Sequence, residues 1–281
     1  MSKERVLSDR ELWMLIARTS TGVFHRPLNL AGANLTGADI NGANIMNADL
    51  QKANLSGANL ESANLSGVNL SGANLTKANL SKANLAGANL TGTILEETKL
   101  NGTDLSGADL SGHNLQGADL TEANLAGAKL DEANLTGAKL SAAKLWKAKL
   151  ADAKFANSNL SGANLQGANL AGHNFRGVDL SEAKLAGANL QGIDLTGANL
   201  TSAKMWKANL SDANLTDANL SGTILQGCDL SGANLTRANL AEANLSGANL
   251  TGANLWYAEM TDANLENALL EGAIGYTTKK K

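Results

Sequence analysis

Every residue whose number is a multiple of five, from Leu30 to Leu270, is apolar: 49 positions, all Leu except Ile40, Ile45, Phe155, Phe175, Met205 and Met260. Two residues before each stands a small residue, Ala at 37 of the 49, and between the two lies usually Asn, Asp or Lys. A helix cannot use this pattern, because positions five apart are rotated by about 140° and would scatter the leucines around the whole circumference. In an extended segment residues two apart share a face, so Ala and Leu point inward and Asn points to water. The remaining two residues must turn the chain. Twenty-seven of the 29 glycines stand two positions after an apolar centre, where a tight turn with positive φ wants no Cβ. Each pentapeptide therefore reads as one short side and one corner of a solenoid that buries its inward face only by stacking on neighbours.

The composition agrees with a regular core that replaces aromatic packing. Aromatic residues make up 3% of the 281 residues. A formal charge of −3 and a pI near 5.7 point neither to a polybasic nucleic-acid binder nor to a strongly acidic chain. The single cysteine, Cys228, excludes an internal disulfide framework and a cysteine-rich zinc site. The opening "MSKERVLSDREL" is charged, and no run reaches the roughly 18 apolar residues of a membrane span, so a soluble, cytoplasmic protein is expected.

The segments "ANLTG" at 33–37 and "ANLSG" at 53–57 show the A(N/D)LxG motif, and the chain resembles the pentapeptide-repeat family over about residues 28–272. The resemblance implies an all-β fold: a right-handed quadrilateral parallel β-helix with four pentapeptides per coil and roughly twelve coils. At about 4.8 Å per coil the rod would be somewhat under 60 Å long. Phe155 and Phe175, 20 residues apart, would then stack directly. The expected organisation is an N-terminal segment, 1–27, the repeat at 28–272, and a C-terminal cap and tail at 273–281.

Solenoid ends need covering. Ser8 and Glu11 form a capping box with Leu7 and Leu12 as its staple, and Leu12, Trp13, Leu15 and Ile16 give an apolar helical face, predicting a capping helix at about 9–19 with Trp13 as an anchor. At the other end Ile274 and Tyr276 are expected to fold over the last coil, with Lys279, Lys280 and Lys281 as a solvated tail.

A narrow, filled interior offers no cleft for catalysis or a cofactor, so no catalytic, cofactor-binding or metal residue is assigned. His113 and His173 take inward positions normally held by Ala, about 14 Å apart and too far to share a metal; Thr93, one coil earlier, is expected to satisfy the His113 ring. His25, at the entry to the repeat, has no partner at metal spacing. Cys228 reads as a buried small hydrophobe. No "GxxxxGK" sequence supports a phosphate loop, and serine recurs throughout as a turn residue.

Specificity must then lie on outward residues. Lysine replaces Asn or Asp at Lys99, Lys129, Lys139, Lys144, Lys149, Lys154, Lys184 and Lys204, and Lys129 is expected to stack on Lys149 with Asp131, Asp152 or an acidic partner offsetting the repulsion. "SAAKLWKAKL" at 141–150 and "TSAKMWKANL" at 201–210 share Lys-x-Trp-Lys at a 60-residue offset, the same offset as the two histidines, which points to duplication of a three-coil block. The candidate interaction edge is Lys144, Trp146, Lys147, Lys149, Lys204, Trp206 and Lys207, with the tryptophans about 14 Å apart over a floor of Gln166, Gly167, Ala186 and Gly187. Trp256 and Tyr257, on the opposite edge, form a secondary candidate, and Ile94 and Ile224 are isolated ones.

The reading of function is a non-enzymatic protein-interaction or scaffold module with an unidentified protein partner, no nucleic acid, no membrane and an open oligomeric state. The resemblance also implies, for some members, modulation of DNA gyrase by imitating duplex DNA. That alternative calls for strong negative charge, a C-terminal dimer helix or projecting loops, none of which this sequence shows. A purely structural spacer is the other alternative.

Overall fold

The computed structural model describes residues 7–20 and 27–276; His25 and Lys279, Lys280 and Lys281 lie outside them. Helix α1 spans Asp9–Ser20. Its start is the expected capping box: Glu11 Oε2 accepts from Ser8 N at 3.0 Å and from Ser8 Oγ at 2.9 Å. Leu12 and Ile16 are buried and Leu15 is half-buried. Trp13 anchors the helix to the repeat through its indole N–H, which donates to the Asp39 carbonyl at 3.0 Å, while Asp9 Oδ1 accepts from Asp39 N at 3.1 Å.

Past the helix, parallel bridges join residues 20 apart, from Asn29 with Asp49 to Asn254 with Ile274, so each pentapeptide stacks on the fourth one after it. Only one residue per pentapeptide makes a bridge. Among the described residues these isolated bridges stand in place of extended strands, because two turn residues in every five leave no room to propagate one. The hydrogen bonds repeat accordingly: Leu35 N donates to Asn54 O at 2.7 Å, Asn54 N to Ala33 O at 2.9 Å, and Gly37 N to Ser56 O at 2.9 Å. Every central residue from Leu30 to Leu255 is buried, each worth about 1.5–3 kcal/mol relative to exposure. Met260, Leu265 and Leu270 in the last coil are only partly covered. Ile274 continues the ladder beside Asn254 instead of folding over that coil, and is half exposed.

Asn or Asp before each centre has a reason beyond facing water. Its side-chain oxygen accepts from the N–H two residues on, as Asn34 Oδ1 does from Thr36 N at 3.2 Å, and its amide reaches the equivalent residue one coil back, as Asn79 Nδ2 does to Asn59 Oδ1 at 3.3 Å. The turn has a second constant. All 49 turns hold their second residue at positive φ, and 22 of those residues are not glycine. Each of the 22 pays for a left-handed backbone, about 1–2 kcal/mol in a residue with a Cβ.

Four bridges of the regular series are absent, those of Asn89 with Asp109, Ile94 with Asn114, Lys149 with Asn169 and Lys154 with Asn174. Both gaps lie beside an inward histidine. An imidazole fills the inter-coil space that a methyl fills elsewhere: His113 Nε2 lies 2.9 Å from the Leu90 carbonyl oxygen, and His173 Nε2 lies 2.8 Å from that of Leu150. Thr93 does not satisfy the His113 ring, since its hydroxyl donates to Leu90 O at 2.6 Å, the same oxygen the ring approaches.

Candidate functional site

The ladder gap at His173 opens a cleft of about 360 Å³ lined by Thr136, Asp152, Lys154, Phe155, His173 and Asn174. The interior itself stays filled, with Phe155 and Phe175 fully buried, and the cleft lies at the coil surface where a ring in an alanine position displaces backbone pairing. Phe155 closes the inner wall and stacks on Phe175, their centroids 4.9 Å apart and their planes tilted by 37°. The second histidine nitrogen is tied as well: Nδ1 lies 3.2 Å from Ala171 O in His173, and the same distance from Ser111 O in His113. Among the described residues no cluster of three or more His, Cys, Asp or Glu is placed to hold a metal.

Cys228 is buried, and its Sγ donates to Met205 O at 2.8 Å. Burial pushes its thiol up to about 12. We expect no labelling of the folded protein by iodoacetamide at pH 8 and full labelling in denaturant; rapid labelling of the folded chain, followed by mass spectrometry, would contradict a sealed thiol.

On the surface, the bridge register brings Lys144, Trp146 and Lys147 into the same columns as Lys204, Trp206 and Lys207, three coils on. Lys149 lies one pentapeptide further around and pairs in the ladder with Lys129. Trp146 and Trp206 are 42% and 47% exposed, and all of the candidate lysines are exposed. Lys147 Nζ sits 5.0 Å from the Trp146 ring centroid, a cation–π contact worth about 0.5–1 kcal/mol at an exposed site. A groove of about 490 Å³ borders Trp146, lined by Ser106, Asn124, Ala126, Gly127 and Lys144. It runs toward the preceding coils, a direction the spacing of the two tryptophans did not suggest. On the other side Ala186, one coil before Trp206 in its column, is buried, while Gln166 is exposed.

The turns that carry the pair belong to a group of seven with neither an amide or carboxylate side chain at the capping position nor a glycine. Gln166 N is capped by Asn164 Oδ1 at 3.2 Å and is followed by Gly167. At Trp146 and Trp206 the capping position is Lys144 and Lys204, which have no acceptor oxygen, and the glycine position is Lys147 and Lys207, held at φ 58° and 57°. Each turn has thus given up a hydrogen bond worth about 0.5–1.5 kcal/mol and an unstrained backbone. Trp256, by contrast, keeps its cap from Asn254 Oδ1 at 3.1 Å. Trp256 and Tyr257, 50% and 79% exposed with ring centroids 5.9 Å apart, lie two pentapeptides away around the coil. Ile94 is exposed, and Ile224 is half-buried.

Lys129 finds its closest partner one coil earlier: its Nζ lies 2.9 Å from Asp109 Oδ2, while Asp131, which accepts from Ala151 N at 3.0 Å, adds a weaker attraction. The Lys129 ammonium, with Ser111, holds the Asp109 carboxyl at about 2, below its usual 3.8. A lowered acid contributes stability above its ordinary range and loses that contribution as pH falls through about 2. In a carboxyl NMR titration Asp109 should have its midpoint near 2, moving up toward 3.8 in Lys129→Ala; an unmoved midpoint would mean the pair is not populated.

The family model for pentapeptide repeats matches in eight copies that together cover residues 28–51 and 53–272. Among solved structures, HetL from the cyanobacterium Nostoc sp. strain PCC 7120, a pentapeptide repeat protein involved in heterocyst differentiation regulation, is 38% identical, with 82% of this chain and 90% of that chain covered and a TM-score of 0.41. Rfr23 from the cyanobacterium Cyanothece 51142 is 32% identical over 41% of this chain and 90% of its own, with a TM-score of 0.23. A pentapeptide repeat protein of the Arabidopsis thaliana thylakoid lumen is 30% identical over 40% and 65%, with a TM-score of 0.23. No curated protein matches.

Proposed function

This chain belongs to the pentapeptide-repeat family, whose members fold as right-handed β-helices, and from that premise we propose that it is a non-enzymatic protein-interaction or scaffold module. Its contact face is the edge of Lys144, Trp146, Lys147, Lys149, Lys204, Trp206 and Lys207. The observation that carries this reading is the recurrence of Lys-x-Trp-Lys three coils apart on one column, with both tryptophans exposed. Both turns also lack the asparagine at the capping position and the glycine, a cost they share with the turns after Ile94, Lys129, Lys139, Lys149 and Lys154, and among these seven only they carry an exposed tryptophan. A quadrilateral section of roughly twelve coils completes the picture, supported by pairing between residues 20 apart.

A reducing, cytoplasmic setting fits a chain whose one thiol is buried. Among the described residues no helix is long and apolar enough to cross a membrane. The gyrase-modulating alternative finds no support at the repeat surface, where residues 29–274 keep the five-residue register with no projecting loop. The spacer alternative is separated from ours by affinity capture with the intact protein and with Trp146→Ala/Trp206→Ala: we expect specific partners to be lost from the variant, and equal recovery by both would favour the spacer.

A further inference from the structure

We infer that the Lys/Trp edge takes an acidic peptide segment lying extended along the stack of coils, with two apolar side chains four residues apart seated against Trp146 and Trp206. This rests on the interaction-module reading and names the chemistry of its partner.

Charge is the first argument. The four stacked stretches 144–149, 164–169, 184–189 and 204–209 contain Lys144, Lys147, Lys149, Lys184, Lys204 and Lys207 and no carboxylate. Among the described residues none of these six lysines forms an ion pair, whereas Lys129, Arg176 and Arg237 each have an aspartate partner. Six unpaired cations on a chain of formal charge −3 mark a face whose counter-charge comes from outside. The strip is also short. In the same ladder columns it is bounded by Asp104 and Asp109 on one side and Asp229 on the other, which suits a short acidic segment and repels a long polyanion.

Spacing is the second. Three coils at about 4.8 Å separate the tryptophans by about 14 Å, and an extended chain rises about 3.4 Å per residue, so residues i and i+4 of one peptide reach both rings. Those two residues share a face, as the geometry demands. The third argument is the floor between the rings. A Cβ built on Gly167 or Gly187 would meet nothing within 4 Å, and Ala186 is buried, so beside the single exposed side chain of Gln166 the backbone there is open and low. A strand lying in this trough places carboxylates over Lys144, Lys184 and Lys204 on one flank and over Lys147, Lys207 and Lys149 on the other.

The test is fluorescence anisotropy of the full chain with a labelled heptapeptide, Glu-Phe-Asp-Glu-Glu-Phe-Asp, against an isomer with its two Phe adjacent, and against oligothymidine. Saturable binding of the first peptide is expected, weaker by roughly tenfold or more for the isomer and for Trp206→Ala. Gly187→Glu should also lose binding while remaining folded, because Glu182 holds the same turn position at φ 59°. Absence of saturation, equal binding of the isomer, or preference for oligothymidine would overturn the inference. If the peptide fails while Trp146→Ala/Trp206→Ala still loses captured proteins, the module reading stands and the extended acidic strand falls.

Discussion

Phe155→Ala should destabilise the protein by about 3–5 kcal/mol, whereas Phe155→Leu should cost less than about 1.5 kcal/mol. Phe155 is fully buried and stacks on Phe175 at a point where the backbone does less than elsewhere, since Lys154 and Asn174 make no bridge to each other. Truncation to Ala would join the vacated volume to the cleft already present beside His173. Leucine is the residue that most coils place at this position, so the backbone already fits it. Denaturant unfolding followed by circular dichroism measures both variants. If Phe155→Ala proves no worse than Phe155→Leu, the ring stack is not what holds the two coils together across the gap.

That gap shows where sequence reasoning reaches and where it stops. The register, the inward Ala and Leu, the glycine turns, the capping box and the Phe155–Phe175 stack were all legible, because each follows from a fixed period acting on local geometry. What His113 and His173 do was not. A histidine among alanines reads as a tolerated substitution, and only the distance from its ring to a carbonyl 23 residues back shows that it parts the ladder. The main partner of Lys129 was missed for a related reason. The reading looked to Asp131 and to Asp152 beyond the stacked Lys149, but a solenoid puts residues 20 apart in contact in both directions, and Asp109 precedes it by one coil. The glycine rule hid a third feature, since turns without glycine, including those of Lys147, Lys207 and Tyr257, adopt the same left-handed backbone.

The candidate edge was legible as composition and only partly as geometry. Trp146 and Trp206 do share a column, but Lys149 stands one pentapeptide further around, and the groove beside Trp146 faces the preceding coils. The value of the strained turns emerges only from the backbone. It leads to the second large effect: Trp146→Ala/Trp206→Ala should weaken partner binding by roughly a hundredfold, two contact anchors of about 1–2 kcal/mol each, while changing thermal stability little. Lys207→Gly sharpens the point, because it removes a contact charge and returns glycine to a positive-φ turn. It should bind more weakly and melt at the same temperature or higher. Trp256→Ala/Tyr257→Ala, on turns two pentapeptides away, should leave this binding unchanged.

The most direct measurement places a photo-crosslinking residue at Gln166, which is exposed between the two tryptophans, and in a separate protein at Arg176, exposed two pentapeptides around the coil. The account predicts that Gln166 yields a specific crosslinked partner, that Arg176 does not, and that the Gln166 product disappears in Trp146→Ala/Trp206→Ala. Crosslinking from Arg176 with none from Gln166, or a Gln166 product indifferent to loss of both tryptophans, would contradict the assignment of this edge as the contact face.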